Sequence, residues 1–451
     1  MVFKSINPYT DQIIQEYPTL SSAEVGNRLQ TSEKAFHSWK NTSFAHRADL
    51  FLKVAKILRE KKEAFAKTIT LEMGKAITEA KGEVEKCAWV CEYYAENAED
   101  FLKDEYIESD AQKSFVSYEP VGAVLAIMPW NFPFWQVFRF AAPYLMAGNV
   151  GILKHAPNVN ACSLAIEGIF KEAGFPEGVF QSLIIDVDLV PKILEADIVQ
   201  AATLTGSEKA GASVAALAGQ NIKKTVLELG GSDPFIVLPD ADLAQAAKVA
   251  VQSRMLNAGQ SCIAAKRFMV FESVKDVFTE HVLKHIMALK TGDPLLEDTT
   301  TGPLARIDLA ENLSRQVETS IKKGAQLLTG GEQTKAHFNP ALLIGVAPGM
   351  PGFDEETFGP AASIISVKDE KQAVEYANQS AYGLGASVWT SDNEKGIYLA
   401  RQINSGGVFI NSLVKSDPRL PFGGIKKSGY GRELSHHGIK EFMNLKTIYV
   451  N

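Results

Sequence analysis

SFVSYEPVGAVLAIMP, residues 114–129, marks a change of texture in a chain of 451 residues. Before it, from Ser22 to about Leu102, apolar residues recur three and four apart, as in DLFLKVAKILREKKEAFAKTITLEM, with Gly74 as punctuation. That spacing predicts a helical layer. From Ser114 onward short β-branched runs alternate with helices: AVLAIM, NVGILKH, FQSLII, IVQAATLTG, TVLELGG and DPFIVL. Strands separated by amphipathic helices predict parallel α/β layers. A second set follows, made of KRFMVFE, a helix through Phe278 to Lys290, then QLLTGG, ALLIGV, AASIISV, ASVWT and GVFINS. Two sheets imply two α/β domains with a boundary near Gly231. The length agrees, because single cores stop growing at roughly 250 to 300 residues. The tail KEFMNLKTIYVN ends in a β-prone run without an evident neighbour, and with SFVSYEP it reads as an edge strand able to pair with another subunit.

Composition excludes several function classes. With 46% apolar and 22% charged residues the chain is that of an ordinary globular protein. Lys plus Arg is 46 and Asp plus Glu 53, a net charge of -7 with no block of one sign, so neither nucleic acid nor an anionic membrane is the expected partner. The opening MVFKSINPYTDQII has no signal-peptide apolar run. The longest apolar region, Val121 to Leu153, is interrupted by Pro129, Pro133, Pro143 and Arg139 and reads as buried interior, not as a membrane span. Four scattered cysteines are too few for a disulfide framework, and a reducing cytosol is the expected compartment. Cys87 and Cys91 share one helix face and read as core. His281 and His285 also share a face, but no further ligands lie nearby, so no metal site is expected.

The fourth cysteine lies in NAGQSCIAAKR, residues 257–267, between small residues. Alone, Cys262 reads as packing. Its context adds chemistry. In VLELGGSDP, Glu228 ends an apolar strand just before a Gly-Gly turn, where a carboxylate is costly without a task. In IMPWNFPFW, Asn131 follows another strand end, with an amide able to donate to a developing oxyanion. Strand ends on one edge of an α/β sheet are where sites assemble. AATLTGSEKAG runs from a strand through Gly206 and Ser207 into a helix, whose N-terminal amides suit an anion such as a pyrophosphate, although a plain helix cap has the same pattern.

PWNFP (129–133), LTGS (204–207), LELGG (227–231), GQSC (259–262), EETFGP (355–360) and PFGGIKKSGYGRE (421–433) together resemble the aldehyde dehydrogenase superfamily along nearly the whole chain. The resemblance implies an α/β fold: a Rossmann-like dinucleotide-binding domain over 1–107 and 121–230, a catalytic domain over 231–432, and a small β arm for oligomerisation over 108–120 and 433–451. It implies Cys262 as nucleophile, Asn131 with the Cys262 N–H as oxyanion donors, and Glu228 as general base. For the cofactor it implies Met128, Pro129, Trp130, Lys154, His155, Pro157, Gly206, Ser207, Leu229, Gly230, Glu356 and Phe358. The implied reaction takes an aldehyde to a carboxylate through a cysteine thioester, with no metal.

Arg139, eight residues after Asn131, resembles the succinate-semialdehyde branch, where an arginine grips the distal carboxylate. The alternative is an arginine paired to a neighbouring acid. The branch's second arginine, directly before the NxGQxC motif, is replaced by Leu256, with Arg254 two residues further back. Arg419 is the expected substitute, and Trp135 and Ser261 complete the expected substrate contacts. Ala264 stands where some relatives carry a second cysteine, which excludes a redox pair with Cys262. Three residues after Lys154, where NAD-specific relatives often carry a glutamate, stands Pro157. NAD and NADP are therefore both expected, with His155 an added donor to the 2′-phosphate. A homodimer or homotetramer is the expected assembly. The rival readings are a dehydrogenase of other small aldehydes, a CoA-acylating relative, which Glu228 argues against, and an inactive scaffold.

Overall fold

Four helices, Ser22–Trp39, Phe44–Glu60, Lys62–Met73 and Ile77–Phe101, fill the segment expected to be helical, in a computed structural model describing residues 1–451. Each break has a local cause. Ser21 and Glu24 form a reciprocal capping box, Ser43 caps the second helix, and Gly74, in the left-handed region at φ 80°, ends the third. A hairpin, Val2–Asn7 with Gln12–Pro18, precedes them.

The first sheet carries Phe180–Ser182, Val150–His155, Ala123–Met128, Val199–Thr205 and Lys224–Glu228 in that spatial order, all parallel, with Gly429–Tyr430 added antiparallel at the end. The chain leaves Ala123–Met128 toward one edge and returns on its other side at Val199–Thr205. A crevice opens at such a reversal of strand order, beyond the carboxyl ends of the two strands. Those ends deliver Pro129 to Asn131 and Gly206 to Ser207.

The second sheet orders Gln326–Thr329, Ala341–Ile344, Ala361–Val367, Ala265–Phe271, Asp233–Val237, Gly385–Trp389 and Gly407–Ile410, parallel except at the first pair. DPFIVL, read from sequence with the first set, is a central strand here. Its alternation is visible: Phe235 and Val237 enter one apolar cluster and Ile236 the other, on opposite faces. The tail finds its partner within the chain. Met443–Val450 pairs antiparallel with Lys113–Pro120 in a three-stranded arm that leaves Leu445, Tyr449 and Tyr106 exposed.

The apolar stretch with three prolines holds, between its two strands, the helix Trp135–Met146, every residue of which is buried. It has no local cap. Its first amides, Phe134 N–H and Trp135 N–H, donate instead to Oε1 of Glu83 on the helix Ile77–Phe101, both at 2.9 Å. No helix of the chain is long and apolar enough to cross a membrane.

Candidate active site

Cys262 follows a turn in which three consecutive residues are left-handed: Asn257 (φ 55°), Ala258 (φ 50°) and Gly259 (φ 74°). Such a run is costly and persists only where the surroundings over-determine it. A Cβ on Gly259 would lie 2.3 Å from the Gly359 carbonyl oxygen, so no other residue fits. Asn257 Nδ2 donates to Asn131 O (2.7 Å) and Gln260 O (3.2 Å), and Oε1 and Oε2 of Glu79 accept from Asn257 N–H at 3.1 and 3.0 Å. Asn131 Nδ2 donates to Gln260 O at 3.0 Å, which leaves its second hydrogen free. Arg254, fully buried at the preceding helix end, donates to the carbonyls of Ala361 and Thr357 at 2.8 Å each and to that of Gly359. One side chain thus ties the cysteine turn to the loop bearing Glu356 and Phe358.

Electrostatics around the thiol are unfavourable to its anion. Burial pushes Cys262 up to about 12, against the opposing pull of Lys266 and Arg139. Lys266 Nζ donates to the carbonyls of Ser261 (2.9 Å) and Cys262 (2.8 Å). Glu228 is also raised, well above the usual carboxylate range, first by burial; Arg139 pulls it down and Glu433 pushes it up. Both of its carboxyl oxygens lack a hydrogen-bond partner. Burial thus disfavours the charged form of both groups, and Glu228 lines neither of the cavities that meet at the cysteine.

Those cavities define the site. One, of about 280 Å³, is walled by Phe132, Trp135, Ile263 and Val414; the other, of about 510 Å³, by Pro129, Trp130, Gly206, Ser207 and Phe358. Cys262 and Gln136 belong to both. A group held on the sulfur is thus open to a substrate from one side and a cofactor from the other.

The larger cavity suits a dinucleotide. Ser207 caps the helix Glu208–Gln220 through Ala210 N–H (3.3 Å), and the amides of that helix start form part of the wall. Gly230 permits a close approach, since a Cβ there would lie 2.7 Å from Glu356 Oε2. Glu356 accepts from Gly231 N–H (2.8 Å), and Phe358 meets Trp130 edge-on at 5.8 Å. Leu229 and Gly230 line the cavity, whereas Met128, Lys154 and Pro157 lie outside its lining, Lys154 at the end of the neighbouring strand. Arg306, the N-cap of the helix Ile307–Lys322, and Leu309 and Asn312 on that helix also line it and carried no chemical signal in the sequence.

His155 is a correction. Its Nδ1 accepts from Ala156 N–H (2.9 Å), so Nε2 carries the proton and donates to Pro133 O at 2.9 Å. Burial holds it near pKa 4. It braces the loop that carries Asn131 and has no donor left for a phosphate.

Two substrate expectations also change. Arg139 is buried in an ion pair with Glu433, donates to Thr205 Oγ1 (3.2 Å) and stacks over Phe422 at 4.7 Å. The paired-acid alternative is the one observed, although Arg139 still forms part of the smaller cavity's wall. Arg419 lies outside both cavities: its side chain is 64% exposed, and its guanidinium is paired with Asp417 (2.9 and 2.7 Å) and set over Trp89. Trp135 and Ser261 do line the smaller cavity. Lys75, Glu79, Glu83 and Lys86 line it too, all from the N-terminal helical layer that sequence reasoning left without a task.

An α/β crevice at a strand reversal, joined to a second cavity through one cysteine, is the architecture of a dinucleotide-dependent enzyme. The chain belongs to the aldehyde dehydrogenase family, whose model it matches over residues 1–448. It is 52% identical, over the full length of both, to a Synechocystis protein named "Probable succinate-semialdehyde dehydrogenase" of the NADP(+) type. It is 46% identical, over 99% of this chain and 97% of the relative, to the NAD(P)+ succinate semialdehyde dehydrogenase Sad of Escherichia coli. The crystal structure of succinic semialdehyde dehydrogenase from Streptococcus pyogenes with NADP+ superposes with a TM-score of 0.97 at 38% identity, covering 99% of each chain.

Proposed function

We propose that this enzyme oxidises succinate semialdehyde to succinate with NADP or NAD, through a thioester on Cys262. The observation that carries the reading is the place of Cys262 in the walls of both cavities. The names of the full-length relatives supply the substrate class. The Cys262 thiol gives its proton to solvent water as sulfur adds to the aldehyde carbon, and the new oxyanion takes hydrogen bonds from the free Asn131 Nδ2 hydrogen and the Cys262 N–H. Ser207, Glu356 and Phe358 in the wall of the larger cavity, with Lys154 at the end of the neighbouring strand, would hold a dinucleotide that would accept the hydride leaving the tetrahedral carbon, and loss of that hydride leaves the thioester on Cys262. In its ionised form Glu228 then takes a proton from water, which attacks the thioester carbon and releases the carboxylate and the Cys262 sulfur, reprotonated as the thiol. To do this its carboxyl rotates away from the Arg139 and Glu433 pair toward the sulfur.

Glu228 favours water over CoA as the acyl acceptor, and the joint presence of Cys262, Asn131 and Glu228 favours an enzyme over a scaffold. The apolar side chains exposed on the Met443–Val450 arm support a homodimer or homotetramer. Four free cysteines agree with a reducing cytoplasm. A panel of straight-chain aldehydes with and without a terminal carboxylate, run with NAD and with NADP, tests the reading. Preference for the four-carbon carboxylated aldehyde is expected, and equal kcat/KM across the panel overturns it.

A further inference from the structure

Lys266 has no part in the reaction described so far, yet its buried ammonium group closes on the backbone of the nucleophile. It is the second residue of the strand Ala265–Phe271 and only 1% exposed. Its side chain turns back along the chain, so that Nζ donates to the carbonyls of Ser261 (2.9 Å), Cys262 (2.8 Å) and Ala264 (3.4 Å). Three acceptors match the three hydrogens of an ammonium, whereas an uncharged amine would turn its lone pair on one of them. Burial opposes that charge; Glu356, whose Oε1 lies 3.7 Å away, favours it, as do Asp233 and Cys262, and Arg254 disfavours it. The Ser261 carbonyl and the Cys262 N–H belong to one peptide group, whose two ends are coupled by resonance. A cation bonded to the oxygen therefore draws electron density from the nitrogen and makes the N–H a stronger donor.

We propose that Lys266 is a positioning residue that strengthens the oxyanion site through the Ser261–Cys262 peptide, holding the plane of that peptide and polarising its N–H toward the charge that develops on the aldehyde oxygen. The effect is largest when the oxygen is an anion, so it lowers the barrier to sulfur addition and leaves binding of the aldehyde nearly unchanged. The same cation favours the Cys262 thiolate: Lys266 opposes the effect of burial first and Arg139 second, while Glu356 and Glu228 act the other way. This rests on the thioester reading of the preceding section, and deepens it.

The test compares Lys266→Met, Lys266→Gln and Lys266→Arg with wild type in two measurements. One is the rate of the NADPH burst on mixing with succinate semialdehyde, which calls on the oxyanion site. The other is alkylation of Cys262 by iodoacetamide from pH 7 to pH 10 without cofactor or aldehyde, which calls on the thiolate alone. Removing an oxyanion donor outright costs about 10²- to 10³-fold in kcat, and weakening one costs less. The burst should therefore slow about 30- to 100-fold in Lys266→Met and in Lys266→Gln, with KM for the aldehyde unchanged. Alkylation should keep its slope with pH and fall by a smaller factor, about threefold to tenfold, for the lost cation. Lys266→Arg should recover most of both. Glutamine can still donate an N–H to the Ser261 carbonyl but carries no charge, so a wild-type burst in Lys266→Gln overturns the proposal. Burst and alkylation falling by the same factor in Lys266→Met also overturn it, since the cation would then act on the thiolate only. A wild-type enzyme with no burst overturns the functional reading instead, so the two failures are distinct. Should Lys266→Met not fold, Lys266→Gln gives the same comparison.

Discussion

Arg139 and Glu433 form an ion pair with almost no solvent contact on either side, and Glu228 is the second carboxyl group drawn to the same guanidinium. One cation cannot hold two buried carboxylates as anions, so the cluster keeps a proton. Replacing Glu433 by Gln leaves Arg139 to stabilise ionised Glu228 alone. The pKa of Glu228 then falls, and the acid limb of deacylation moves by about one unit or more to lower pH, measured on hydrolysis of preformed acyl-enzyme. Breaking a buried pair costs about 3–5 kcal/mol, and the fallback pairing with Glu228 holds this variant at the low end in denaturant unfolding. An unmoved acid limb would show that Glu228 does not sense the pair.

Cys262→Ala should bind cofactor yet produce no NAD(P)H, not even a burst. In wild type the other three cysteines are fully buried, so iodoacetamide should label Cys262 alone in the native protein. With the thiol held near 12 by burial, labelling in the absence of cofactor should rise about tenfold per pH unit from pH 7 to pH 10. A plateau below pH 8 would mean that the resting thiol is already activated.

Glu228→Gln keeps the shape of the strand end and removes the proposed base. Acylation should persist and deacylation stall, so mass spectrometry after aldehyde and cofactor should show the acyl adduct on Cys262. Unmodified protein alone would assign deacylation to another group.

Most of the fold is written in local pattern. Periods of three to four and of two, with glycine and serine stops, place the helical layer and both sheets, and the strand ends at Met128, Thr205 and Glu228 lead to the site. What stays hidden is which long-range partner claims a charge. Arg139 and Glu433 both stand in quoted motifs, yet nothing local says they neutralise each other. His155 follows Lys154 by one residue, and only the packed strand turns its ring inward toward Pro133. Lys86 and Glu83 sit three apart on a helix whose surface pattern is that of any amphipathic helix. Their roles arise from the helix Trp135–Met146 laid across them.

The cofactor prediction turns on the residue three after Lys154. Pro157 is exposed in the turn after the strand Val150–His155, with its carbonyl accepting from Asn160 Nδ2 at 2.7 Å. Lys154 Nζ donates only to the His155 carbonyl, at 3.3 Å, and is drawn down by burial and back up by Asp186. No carboxylate stands at position 157 to repel a 2′-phosphate beside that ammonium, and His155, turned inward, neither helps nor hinders. NADP should be turned over by wild type at a rate comparable to or above NAD. Pro157→Glu places an anion there; like charges a few ångströms apart and poorly solvated cost a few kcal/mol, so kcat/KM for NADP should fall about tenfold or more while NAD is spared. Equal losses on both cofactors would mean that the substitution distorts the turn and does not repel the phosphate, and a wild type inert toward NADP would refute the electrostatic reading of this position.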